Sequence, residues 1–271
     1  MPAPLLVLTD FTPAADAALQ YAATLAAHLQ VPLVLLHVNR NSIFDPETFT
    51  GKIHHRSEGE IAVALNERIQ GLKVPAIPAM TTGRSTAAIR EIVQQHQPAL
   101  LVLGRPSVAE LPDELVSTTS LDLLSEIQYP LLIVPTATVP QLPQRLALAA
   151  DNNPFQLAAP AGPVQQLLSA LHTTATIVHV AEPEDNDSCH SALGSVQRAG
   201  LLTDGQNPVA THGVRNLDIP RGIEQAVKDI HADLLVLIAR RHNILGRLFH
   251  RSITAQMIRQ TQLPVLVLPT V

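Results

Sequence analysis

Leu100–Pro135 reads LLVLGRPSVAELPDELVSTTSLDLLSEIQYPLLIVP, and Leu234–Pro269 reads LLVLIARRHNILGRLFHRSITAQMIRQTQLPVLVLP, almost in register with it. Each begins with the aliphatic run LLVL, too short for a helix and without polar alternation, as suits a strand buried on both faces. A polar loop follows. A hydroxyl-bearing helix start comes next, at Ser117 and Thr118 in one copy and Ser252 in the other, and a proline-led apolar run closes the unit. Strand, loop, helix, strand is a crossover, and it places the loop and the helix start at the carboxyl edge of a parallel sheet. Open α/β sheets bind ligands at that edge.

Outward from this unit, the repeat extends over the whole chain. Leu5–Leu8 ends in Asp10 as Leu146–Ala150 ends in Asp151, and Pro13 and Pro154 stand at matching places as openers of a helix. VPLVLLHV (31–38) corresponds to ATIVHVA (175–181), with His37 matching His179. IAVALNERIQGL (61–72) and STAAIREIVQQHQ (85–97) have helical character, the latter with Ile89, Ile92 and Val93 on one face. VPAIPAM (74–80) and PVATHGV (208–214) are predicted edge strands. Residues 182–205 are weakly helical and are expected to include a mobile loop. Ile89–Pro135 aligns with Ile223–Pro269 without a gap. Thr136–Gln144, with two prolines and no periodicity, reads as the linker. The predicted fold is a duplicated α/β chain with a first domain over 1–139 and a second over 140–271, each a five-stranded parallel sheet flanked by helices. The halves are expected to keep separate sheets and to pack through YPLLIVP and LPVLVLP, whose apolar edges would otherwise be exposed.

Composition narrows the function. With 271 residues, 46% of them hydrophobic, the chain can bury two cores. A formal net charge of −5 argues against wholesale nucleic-acid binding. The one cysteine, Cys189, excludes an intrachain disulfide and fits a reducing compartment. No apolar run approaches the roughly 20 residues of a membrane helix, and MPAPLLVLTDF lacks the basic start of a signal peptide. A cytoplasmic protein is expected.

The first strand ending in Asp, the strand closing in HV, the helix leading into LLVLG and the proline-led last strand resemble the universal stress protein family in its tandem form. The resemblance implies an adenine-nucleotide-binding α/β fold, and in ATP-binding members a loop G-x2-G-x9-G-S/T. Glycines there let backbone amides approach phosphates. Carried onto this chain, the loop gives Gly104, Ser107, Ser117 and Thr118 in the first half and Ile238, Arg241, Arg251 and Ser252 in the second. One glycine of three is kept in the first copy and none in the second. The acid that contacts the nucleotide corresponds to Asp10 and Asp151. ATP or AMP is therefore expected, if anywhere, in the first domain, and the two domains are expected to pair as single-domain chains do in a homodimer.

Plainer readings stand beside these. Ser117, Thr118 and Ser252 are placed as N-caps, worth about 1 kcal/mol each, and an acid ending a strand can cap a helix too. Arg240, Arg241, His242, Arg247, His250 and Arg251 form a basic cluster that could hold an anion or simply pair with nearby acids. His37 and His179 suit strand-end core positions, and neighbouring His54 and His55 lack a third metal ligand. Cys189 lies in a polar segment and could be exposed, but with no resolving cysteine in the chain a redox role is not expected. No catalytic constellation is present, so a non-enzymatic stress-response or signalling module with an eroded nucleotide pocket is expected. The alternatives are a weak ATPase built on Asp10, and anion or regulatory-ligand binding by the second half. No metal, membrane or nucleic-acid partner is expected, while a protein partner or a homodimer is left open.

Overall fold

The computed structural model describes residues 2–39, 57–82, 85–106, 123, 126–158, 161–202, 209–240 and 252–271. The first half runs β1 (Leu5–Leu8), α1 (Pro13–Leu29), β2 (Leu33–Asn39), α2 (Glu58–Gln70), β3 (Ala76–Thr82), α3 (Ser85–His96), β4 (Leu100–Arg105) and β5 (Leu131–Pro135). The second runs β6 (Arg145–Ala149), α4 (Ala161–Ala170), β7 (Thr174–Ala181), α5 (His190–Arg198), β8 (Val209–Arg215), α6 (Ile219–Asp229), β9 (Leu234–Ala239), α7 (Ile253–Gln260) and β10 (Val265–Pro269).

Within each half all strand pairs are parallel. The aliphatic runs are buried along their length, because helices cover both faces of the sheet. Residues alternate between two cores. Leu5, Val7, Leu100, Val102 and Leu132 point into one, with α1, α2, α4 and α5. Leu6, Leu101, Leu103 and Leu131 point into the other, with α3, α6 and α7. The predicted edge strands β3 and β8 lie at the two ends of the sheet. Pro78, which cannot donate to a ladder, is tolerated in that terminal strand.

The two halves do not keep separate sheets. Their last strands pair antiparallel, giving one ten-stranded sheet in the order β3-β2-β1-β4-β5-β10-β9-β6-β7-β8. Leu132 pairs with Leu266, its own counterpart in the repeat, which places a pseudo-twofold axis between β5 and β10. The expectation of packing through the final strands holds, and its cause is the unpaired backbone edge that each five-stranded half would otherwise present.

One local expectation is corrected. The second half does not open its first helix at Pro154: α4 starts only at Ala161, although it ends where the counterpart of α1 should. A helix over 154–170 would hold Pro160 and Pro163 in its interior, where each would remove a hydrogen bond and crowd the carbonyl four residues back. Instead Leu157 bridges Thr270, Ala158 N donates to Pro269 O, and Val271 N donates to Gln156 O. Within the stretch read as weakly helical, His190–Arg198 folds as α5 and buries Ala192 and Val196.

Candidate functional site

At the carboxyl edge of the first half, β1 ends in Asp10, whose Oδ1 accepts from Thr12 N at 3.1 Å and from Thr12 Oγ1 at 2.6 Å. Thr12 is the N-cap of α1, with its hydroxyl accepting from Ala15 N and Pro13 opening the helix. Asp10, two residues before the cap, thus steadies it. Its carboxylate is exposed, and among the described residues Thr12 is its partner.

Gly104 lies beside this helix start. A Cβ there would fall 2.1 Å from Ala14 O and 2.6 Å from Ala15 N, so only glycine lets the first turn of α1 rest on the end of β4. The glycine has a packing reason of its own. Its consequence is that α1 presents its amino end at the carboxyl edge of the sheet, where backbone N–H groups carry partial positive charge. Ser107, Ser117 and Thr118 fall outside the described residues.

Next to Asp10, Phe11 adopts a left-handed backbone (φ 66°) and stacks on His37, ring centroids 4.5 Å apart. The Arg68 guanidinium lies 4.9 Å over the same ring and donates to Asp16 from Nε at 2.6 Å. His37 Nδ1 is 2.8 Å from Thr9 O, and since a carbonyl only accepts, that nitrogen carries the proton. Phe11, Arg68 and the stack were not singled out from sequence, because Arg68 approaches Phe11 from α2, across a separation that no local pattern encodes.

The second half has the same frame with different chemistry. His179 is buried, its Nδ1 donates to Ala150 O at 3.3 Å, and its Nε2 lies 3.0 Å from Asn152 Nδ2. Asn152 stands where Phe11 does, so a stacked pair has become a hydrogen-bonded one. His179 is thus a hydrogen-bonded core histidine and His37 a half-buried strand-end one.

Asp151, the counterpart of Asp10, is occupied. Arg240 donates to it from Nε at 2.8 Å and from Nη2 to the other oxygen, and the same guanidinium reaches Asn153 O at 2.7 Å and Pro154 O at 3.0 Å. Burial alone would raise the Asp151 carboxyl. The hydrogen bonds and charge of Arg240, together with Asn153, outweigh it and hold the carboxyl below its usual range. Ile238 stands at the place of Gly104, and it packs into the core that also takes Phe155 and Leu157, while the helix of that half begins at Ala161. Arg241 and Arg251 fall outside the described residues, as do the rest of the basic cluster beyond Arg240 and both His54 and His55. Ser252 caps α7, its hydroxyl accepting from Ala255 N at 3.1 Å.

Cys189, in its polar segment, is buried. It is 7% exposed, its Sγ lies 3.8 Å from Asp187 O, and burial pushes its thiol up. The segment before it lies tightly on β8, where a Cβ at Gly213 would meet Asp187 O at 2.1 Å. Among the described residues no group of three or more His, Cys, Asp and Glu could hold a metal, and no helix is long and apolar enough to cross a membrane.

A doubled α/β unit, parallel within each half and with an acid following each first strand, defines a class of protein: a tandem, doubly wound α/β fold. The universal stress protein family profile matches residues 1–135 and 144–269, and the chain belongs to that family. Among solved structures, a universal stress protein from Archaeoglobus fulgidus DSM 4304 is 18% identical, with 97% of each chain covered and a TM-score of 0.69. A putative universal stress protein from Pseudomonas aeruginosa UCBPP-PA14 is 15% identical over 99% of this chain and 94% of its own, TM-score 0.56. A functionally unknown protein of Pseudomonas aeruginosa PAO1 is 15% identical over 99% and 93%, TM-score 0.54. At these identities the likeness concerns the fold. No curated protein sequence matches the chain.

Proposed function

We propose that this protein is a non-enzymatic stress-response or signalling module with one adenine-nucleotide site, at the carboxyl edge of the first half, and a second half that keeps the fold with its site closed. The observation that carries this reading is the unequal state of the two matching acids. Asp10 is exposed and bonded to Thr12, beside the amino end of α1. Asp151 is taken by the Arg240 guanidinium, with Ile238 in place of the glycine and the helix start withdrawn to Ala161. An acid already satisfied by an internal cation has little left to offer a ribose or base. The same pairing uses Arg240 internally, which weighs against anion capture by that residue.

Titration calorimetry with ATP and with AMP tests the proposal on the intact chain, Asp10→Asn and Arg240→Ala. One site per chain is expected, weakened about tenfold or more by Asp10→Asn, as removal of a charged hydrogen-bonding group would give, and unchanged by Arg240→Ala. Two sites per chain, or a site indifferent to Asp10, would overturn it. Absence of binding at millimolar nucleotide would leave partner binding as the function. Turnover that disappears in Asp10→Asn would replace the reading with a weak ATPase.

A further inference from the structure

Arg105, the last residue of β4, is 2% exposed and among the largest side chains that the fold buries completely. Its partners lie in the other half of the molecule. Nη1 donates to Arg259 O at 2.9 Å and Nη2 to Thr261 O at 2.5 Å, the carbonyls at the carboxyl end of α7. The last carbonyls of an α-helix point away from it without a further turn to bond, and the helix dipole gives that end partial negative charge. Among the described residues no carboxylate pairs with Arg105, so the helix end itself balances the buried cation. The backbone of Arg105 also holds the linker, its carbonyl accepting from Thr136 N and Thr136 Oγ1, both at 3.0 Å.

In the repeat, the residue matching Arg105 is Ala239. The contact therefore occurs once, and it breaks the pseudo-twofold symmetry that the pairing of Leu132 with Leu266 establishes. Duplication alone does not produce it. A buried guanidinium across a repeat boundary has a large desolvation cost, and leaving it without its carbonyls would cost more.

We propose that Arg105 is an inter-half latch: by holding the carboxyl end of α7 from β4, it makes α7 open together with the first half. The β5–β10 ladder joins the sheets by backbone pairing of 131–133 with 265–267, and the Arg105 side chain is no part of it, so the latch has an effect separable from the ladder.

Hydrogen exchange on the full chain, read by peptide mass spectrometry, tests this in wild type, Arg105→Met and Arg105→Lys. In wild type, amides of 253–261 are expected to exchange at the same slow rate as those of β1 and β4. In Arg105→Met, which keeps volume and loses the donors, 253–261 should exchange at least about tenfold faster while β1, β4 and the β5–β10 ladder keep their protection. Arg105→Lys keeps the charge but cannot span both carbonyls, and it should fall between the two; it decides the matter if the methionine variant does not fold. Wild-type α7 opening independently of β1 and β4, or α7 unmoved by either replacement, would overturn the latch.

Discussion

At the scale of single residues, the repeat shows how one position diverges without disturbing the fold. Asp10 and Asp151 end equivalent strands, yet one props a helix cap and the other neutralises an arginine. The Asp151 carboxyl is held low in the folded chain, so its contribution to stability is present above the unfolded carboxylate pKa of about 4 and fades as pH falls through the folded value. Asp151→Asn should therefore cost about 1 kcal/mol at pH 7, a modest figure because the carboxylate is 47% solvent-exposed. Urea denaturation should show this difference shrinking as pH falls below about 4; a gap that persists undiminished in acid would mean that Arg240 is not its source.

Among elements, α1 and α4 are the instructive pair. They end alike but start differently, and the difference tracks two sequence features: Gly104 against Ile238, and the absence or presence of interior prolines. A helix start resting on a strand end needs a residue without a Cβ beneath it. Gly104→Ala should accordingly destabilise the protein by about 3 kcal/mol, the upper end for overpacking, because the clash is with backbone rather than a flexible side chain. Equilibrium denaturation measures it, and a neutral result would show that α1 can slide along β4. The sequence carried the late start of α4 in Pro160 and Pro163, but the matching of Pro154 to Pro13 is equally visible there and points the other way. Only the competition of the two, settled by packing against β10, gave the unwound segment.

For the whole molecule, the two halves need each other. β5 and β10 are buried on both faces and pair only with one neighbour inside their own half. A chain ending at residue 139 would expose the edge of LLIVP, a row of unpaired backbone groups flanked by apolar side chains. It should self-associate, forming a dimer through β5 or larger aggregates, as sedimentation velocity would show; a stable monomer would contradict the role assigned to the pairing.

The sequence by itself determined the duplication, the buried parallel strands, the edge positions of β3 and β8 and the pairing through the last strands. Each of these follows from local hydrophobic pattern or from the rule that an apolar edge must be covered. Tertiary structure alone decided that the sheets fuse into one, that Arg240 reaches Asp151, that Cys189 is buried and that Arg105 crosses to α7. These depend on where side chains far apart in sequence are brought together, and the spacing of residues along a chain holds no record of such distances until the chain has folded.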